Sequence, residues 1–363
     1  MQPFNPSRLD LARRRRGMAK GELATALELS PRSLLAYERG DKTPGPRTLA
    51  RIAEVLEYPV AFFGGPDLEE PPLNGTSFRS LSRLSAKERD RALAAGALAL
   101  GLSDWISERF RLPEPGVPRY EGITPEMAAM AVRNEWQIGE RPVKNMIHLL
   151  ESHGVRVFSL SGDCPDMDAF SFWRGSVPFV LLNTMKSSEH SRMDAAHELG
   201  HLVLHWRGGV ATKQAEFDAQ QFASAFLMPR GDVLAQVAPG QRLNEVILLK
   251  RRWTVSVASL TYRLHALKLL TDWQYRSLFM EISKLGYRRS EPNGAPSERS
   301  QILDKVFQTM RSEGLGKGAI AQQLSIPLDE LARAVFGLVL TTIEGSGPDA
   351  SPRNMDGVNL RVV

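Results

Sequence analysis

The chain has 363 residues, with 42% apolar and 24% charged residues. That is too long for one ordinary domain, and the balance is that of a globular protein rather than a disordered or fibrous one. No apolar run reaches the roughly 18 residues that a membrane span needs, the polar N-terminus has no signal-peptide core, and the lone cysteine, Cys164, excludes an internal disulfide framework. A reducing cytoplasm is therefore expected, with no membrane partner. The net charge is +5, and residues 1–65 carry most of it, with 11 Lys and Arg against 7 Asp and Glu. Its peak is the run Arg13-Arg14-Arg15-Arg16. A local basic excess on a small helical unit favours a polyanion, although a solvated helix end explains the charge alone equally well.

Residues 7–63 are predicted as four or five short helices, because Leu9, Leu11, Leu23, Ala24, Leu27, Leu34, Leu35, Leu49, Ile52, Ala53 and Leu56 recur at helical spacing. Breaks fall at Arg16-Gly17, at Leu29-Ser30-Pro31 and between Gly40 and Pro46. Ser30 is placed as an N-cap and Gly40 as a helix stop. Residues 66–121 are read as a linker followed by a long helix over 86–111. Helices at about 124–137 and 142–153 come next. The period then changes: Val155–Leu160, Phe170–Trp173 and Phe179–Asn183 are predicted strands of a small antiparallel sheet. Helix returns over 187–206, 214–227 and 230–287. A helical region covers 298–343, and residues 344–363 are expected to be disordered. The expected fold is thus α+β and mostly helical, with domains at 1–65, 122–290 and 298–343.

Two short helices joined by a tight turn let the second enter the DNA major groove. Here the first is about Lys20–Leu27 and the recognition helix is Pro31–Arg39. Lys20, Arg32, Ser33, Tyr37 and Lys42 are the candidate contacts to double-stranded DNA, offering cations and hydroxyls to phosphates and base edges. The residues Arg16-Gly17-Met18, Glu22-Leu23-Ala24, Leu29-Ser30 and Tyr37-Glu38-Arg39-Gly40, with Pro44, Leu49, Ile52-Ala53 and Leu56, resemble the Xre/Cro-repressor family of helix-turn-helix domains. The family usually places a glutamine and then a helix former where this chain has Lys20-Gly21.

His197-Glu198-Leu199-Gly200-His201 puts two imidazoles four residues apart on one helix face, where both can reach one ion. Glu198, one position round, can serve as general base. Zinc (Zn2+) suits such a site, because it accepts imidazole nitrogen and leaves a position open. A third ligand is needed. Glu216 is preferred, with Asp218 and His205 as alternatives, and Gln220 is a candidate supporting partner on the same face as Glu216. Asp194-Ala195-Ala196-His197-Glu198-Leu199-Gly200-His201, then Glu216, Ala219, Phe222-Ala223 and Phe226-Leu227-Met228-Pro229, resemble the ImmA/IrrE family of metallopeptidases. That resemblance implies a zincin-like domain over about 122–287, zinc ligands His197, His201 and Glu216, and a catalytic Glu198. It also implies cleavage of a specific DNA-bound repressor in a stress or mobile-element response.

Two other features stand out. Phe170 and the edge of strand 179–183 are candidates for receiving an extended peptide. Gly318–Leu331 mimics a second helix-turn-helix but lacks clustered basic residues, so packing or dimerisation is expected of it. The resulting reading is a cytoplasmic, nucleoid-associated transcriptional regulator with a zinc endopeptidase domain, with a homodimer allowed. The alternative is a regulator or antitoxin-like protein whose zinc site is structural or sensory.

Overall fold

The computed structural model describes residues 3–72, 84–160, 167–207, 212–339 and 361–362. Cys164, part of the 66–121 linker and most of the 344–363 tail lie outside the described residues. The N-terminal unit is α1 (Pro6–Arg15), α2 (Lys20–Ala26), α3 (Pro31–Glu38), α4 (Pro46–Leu56) and a 3-10 turn (Val60–Gly64). Local chemistry sets its breaks. Gly17 and Gly40 turn the chain at φ of +63° and +76°, and the Ser30 hydroxyl accepts the Ser33 amide at 3.1 Å to cap α3. Leu9, Leu23, Leu34, Ile52 and Leu56 close its core. Leu35, expected inside, is only half-buried.

Helix α5 (Ala86–Ser107) opens on a Ser85–Glu88 capping box and is buried almost all round over residues 92–103. The roughly all-round burial follows from its position, since α1 lies along it and the chain at Leu68–Pro71 crosses it at Gly96 and Gly101. A β-carbon at Gly96 would come within 2.4 Å of the Pro71 ring. After α5 the chain makes a short strand β1 (Phe110–Arg111), then α6 (Pro125–Glu135) and α7 (Met146–Ser152).

Strands β2 (Arg156–Ser159), β3 (Ala169–Arg174) and β4 (Val177–Leu182) form one sheet in the order β2-β4-β3. β3 and β4 are an antiparallel hairpin, as expected, but β2 runs parallel to β4, so the sheet is mixed rather than antiparallel. The cause is the central place of β4. Its Pro178–Leu182 run is buried throughout and takes a partner on each edge. The 179–182 strand is therefore already paired on both edges, while β3, which carries the buried Phe170, lies at the edge of the sheet.

Below the sheet lies α8 (Ser188–Leu204), with α9 (Lys213–Leu227) packed on it and α6 packed on α9 and, less extensively, on α8. The chain continues through α10 (Arg230–Gln236), α11 (Leu243–Trp253), α12 (Val257–Ala266) and α13 (Asp272–Lys284) to α14 (Gln301–Ser312), α15 (Lys317–Gln323) and α16 (Leu328–Ala334). Finally β5 (Arg361–Val362) pairs antiparallel with β1. No described helix is long and apolar enough to cross a membrane.

Candidate functional site

Helix α8 sits between the sheet and α9, with Ala195, Ala196, Leu199, Leu202 and Val203 all buried. His197 and His201 share its face toward α9. Gly200 lets α9 come close: a β-carbon there would lie 3.1 Å from Phe222 and 3.2 Å from the Ala219 backbone. The Ser187 hydroxyl caps α8 and the Thr212 hydroxyl caps α9, which fixes where each helix starts.

The close approach brings Glu216, in the first turn of α9, onto the imidazoles. The Nε2 atoms of His197 and His201 are 3.1 Å apart, and the Glu216 carboxylate oxygens lie 3.6 and 3.5 Å from them. The three donor atoms all fall within 4.8 Å of one another. Zinc with arms of about 2.0–2.1 Å separates tetrahedral ligands by roughly 3.3 Å. Two imidazole nitrogens and a carboxylate at these spacings therefore fit one face of such a shell. Asp218 points away and accepts from Gln214 at 2.8 Å, and it is not part of this cluster.

Burial and charge shape the three groups differently. His201, 1% exposed, is pushed down to about 4, by burial first and by the neighbouring His197 next, so its imidazole stays neutral in mildly acidic water. Burial lowers His197 as well, but the carboxylates of Glu216, Glu198 and Asp194 more than reverse that and hold it above its ordinary value. Burial raises Glu216, yet the two facing imidazoles win and keep its carboxyl well below the usual range.

Two partners were not legible beforehand. The Ser171 hydroxyl, from β3, donates to the Glu198 carboxylate at 2.6 Å, so the buried Glu198 is oriented from the sheet. His205, weighed as a third ligand, instead meets His201 Nδ1 with its own Nδ1 at 3.1 Å. It stands where a partner would fix the ligand tautomer. Gln220, the expected supporting residue, is exposed. No pattern within one helix could have pointed to Ser171, because the contact spans a strand and a helix.

On the other module, Arg32 is exposed at the start of α3 and Lys42 is exposed beyond its end; among the described residues neither has an ion-pair partner in view. Ser33 shares its hydroxyl with Ser30 at 2.9 Å, and Tyr37 is half-buried against the module core. Lys20 lies 2.7 Å from the Glu38 carboxylate, which also takes Arg13 at 2.8 Å. The arginine run does not face outward as its charge suggested. Arg13 and Arg14 pair with Asp10, Arg14 also with Glu70, and Arg15 and Arg16 reach Glu330. Its cations are spent inside the protein because this end of α1 is packed on other helices.

Residues 150–265 match the peptidase family described as the IrrE N-terminal-like domain, and residues 9–63 match the helix-turn-helix family. The chain is a fusion of the two. The IrrE-like domain, of metallopeptidase type, contains His197, Glu198, His201 and Glu216, and the helix-turn-helix DNA-binding domain contains all of α3. Comparison with curated proteins gave no match.

Proposed function

We propose that the protein is a DNA-binding transcriptional regulator whose IrrE-like domain is a zinc-dependent endopeptidase. The observation that carries this reading is the convergence of His197, His201 and Glu216 within 4.8 Å beside a buried Glu198. His197, His201 and Glu216 would hold the ion, and zinc would supply Lewis acidity there. Glu198 acts as general base and then general acid: it takes a proton from water at its carboxylate and passes it to the leaving amine. Ser171 orients that carboxylate from β3, and His205 keeps His201 in the tautomer whose Nε2 lone pair is free to ligate. The neutral state of His201 supports this role, because a protonated imidazole cannot ligate.

The proposed substrate is a specific repressor protein, cleaved in a stress or mobile-element response. The exposed face of α3 supports double-stranded DNA as the other partner, with Arg32 and Lys42 the freest of the candidate contacts and Lys20, Ser33 and Tyr37 needing to share or leave the partners they have. A bacterial cytoplasmic, nucleoid-associated location follows from those partners, and two-fold operators would accompany a homodimer.

A second reading, a regulator or antitoxin-like protein with a structural or sensory zinc site, is favoured by one contact: Ser171 already occupies part of the Glu198 carboxylate. The substitution Glu198→Gln separates the two. Under the peptidase reading it keeps stoichiometric zinc but abolishes cleavage of a repressor co-expressed from the same locus, by about 100-fold or more. Unchanged processing in Glu198→Gln would leave only the structural site.

A further inference from the structure

Helices α14–α16 repeat α1–α3 at one constant sequence offset. Arg16 and Glu313 close α1 and α14, and Gly17 and Gly314 follow with φ of +63° and +80°. α2 and α15 are both 7 residues long, starting at Lys20 and Lys317. Each is followed by a leucine (Leu27, Leu324), a residue in the left-handed region (Glu28 at +56°, Ser325 at +54°) and a branched apolar residue (Leu29, Ile326). α3 and α16 then start at Pro31 and Leu328, and Gly40 and Gly337 turn the chain beyond them at +76° and +71°. The core positions correspond as well: Leu9 with Val306, Leu23 with Ile320, Ala24 with Ala321 and Leu34 with Leu331, all buried. The C-terminal unit is a second helix-turn-helix, outside the residues that match the family.

What differs is the charge at the end of the helix that would enter a groove. α3 opens Pro31-Arg32-Ser33, whereas α16 opens Leu328-Asp329-Glu330. Carboxylates there repel phosphate. They meet arginines instead. Arg15 Nε lies 2.7 Å from Glu330, with both side chains almost fully buried, at 4% and 1% exposure. Arg16 reaches Glu330 at 3.1 Å and Asp329 at 3.2 Å, donates to the Leu56 carbonyl at 2.8 Å and lies over the Tyr58 ring. On its other side the unit is tied to the IrrE-like domain. Thr184 donates to the Phe336 carbonyl at 2.8 Å, and the Glu151 carboxylate accepts the Gln301 and Ile302 amides at 2.9 and 3.3 Å.

We propose that α14–α16 is a helix-turn-helix turned from reading DNA to gripping protein. Its recognition-helix end, made acidic by Asp329 and Glu330, clamps the basic end of α1 and holds the N-terminal reader rigidly on the IrrE-like domain, with α3 facing outward. The clamp rests on the pairings themselves; its placing of a DNA reader rests on the reading of α3 given above.

A dye on the exposed face of α4, at Ala50→Cys in a Cys164→Ser background, reports the tumbling of the N-terminal module by nanosecond anisotropy in the full chain. In the otherwise unaltered chain the module should tumble with the whole molecule. Because α1 also packs along α5, Glu330→Arg should add a fast component to the module's motion rather than free it wholly, and the swap Arg15→Glu with Glu330→Arg should remove that component. A freely tumbling module before any change to the pair, or tumbling unaffected by Glu330→Arg, would overturn the clamp. Should Glu330→Arg unfold the chain, the swap decides: refolding with slow tumbling supports the pairing, and failure to refold refutes it. Duplexes selected by the full chain provide the second arm. Affinity should fall about 5- to 150-fold in Arg32→Ala and be indifferent to Arg333→Ala on α16. The reverse pattern would make α16 a second reader and sink the proposal, while absence of any bound duplex would sink the DNA reading alone and leave the tumbling result to judge the clamp.

Discussion

The candidate metal site and the candidate DNA-facing helix stand at opposite ends of a scale of burial. His201 and Glu198 are enclosed between the sheet and α9, and each has its partner in place. Arg32 and Lys42 project from the surface without ion pairs in view among the described residues. A site that must bring several donors to one point needs a rigid, dry frame, whereas a surface that meets a flexible polyanion needs freedom and charge. The same contrast recurs between α1–α3 and α14–α16, whose turns and core positions coincide while the charges at the start of α3 and α16 oppose. Fold alone assigned neither unit its role.

Three substitution or titration series would break or sharpen this comparison. The largest effect is expected at the enclosed site. Elemental analysis should find one bound zinc in the unaltered chain, His201→Ala and Glu216→Ala should each lose it, and Asp218→Ala should retain it. Zinc lost only in Asp218→Ala would mean that α9 presents a different carboxylate from the one its packing on Gly200 places there.

The next effect is a pH dependence. The folded-state value of His201 is depressed to about 4, below the ordinary value of 6.5 expected for the unfolded chain. Its contribution to the stability of the zinc-free protein is therefore complete above pH 6.5 and lost as pH falls toward 4, by up to about 3 kcal/mol. His197, raised, acts with opposite sign and at or above 6.5, and Glu216, lowered, adds its loss only at more acidic pH. Chemical denaturation of the metal-free chain across this range should show the slope, and His201→Asn should flatten it. An unchanged slope in His201→Asn would assign the pH dependence elsewhere.

The smallest effects are expected at the open surface. Arg32→Ala should cost about 1–3 kcal/mol of specific duplex affinity, and Lys42→Ala should weaken all duplexes evenly while reducing the salt slope by about 1. Lys20→Ala should do less, because its ammonium is already held by Glu38. Binding titrations at several salt concentrations measure all three. A Lys20 effect larger than that of Arg32 would show that the Lys20–Glu38 pair opens on DNA.

Much of this was legible in the residue order because it is local. Four-residue spacing puts His197 and His201 on one face of any α-helix, Ser30 caps whatever helix follows it, and glycine permits the left-handed turns at positions 17 and 40. Helical and extended periods marked α5–α9 and β2–β4 to within a few residues, and the stretches of α10–α13 and α14–α16 as helical without dividing them, because each period reflects which side chains one segment can bury. The remainder depended on segments far apart in the chain. The parallel pairing of β2 with β4, the arrival of Ser171 from β3 at Glu198, and the displacement of Gln220 by His205 beside His201 came from how sheet and helices stack. The run Arg13–Arg16 is the plainest case. Its composition determined that it would seek negative charge, but only the meeting of α1 with α16 decided that, for Arg15 and Arg16, Glu330, more than three hundred residues away, would supply it rather than a phosphate. Spacing along the chain dictates what one element can present, and the tertiary structure decides what that element meets.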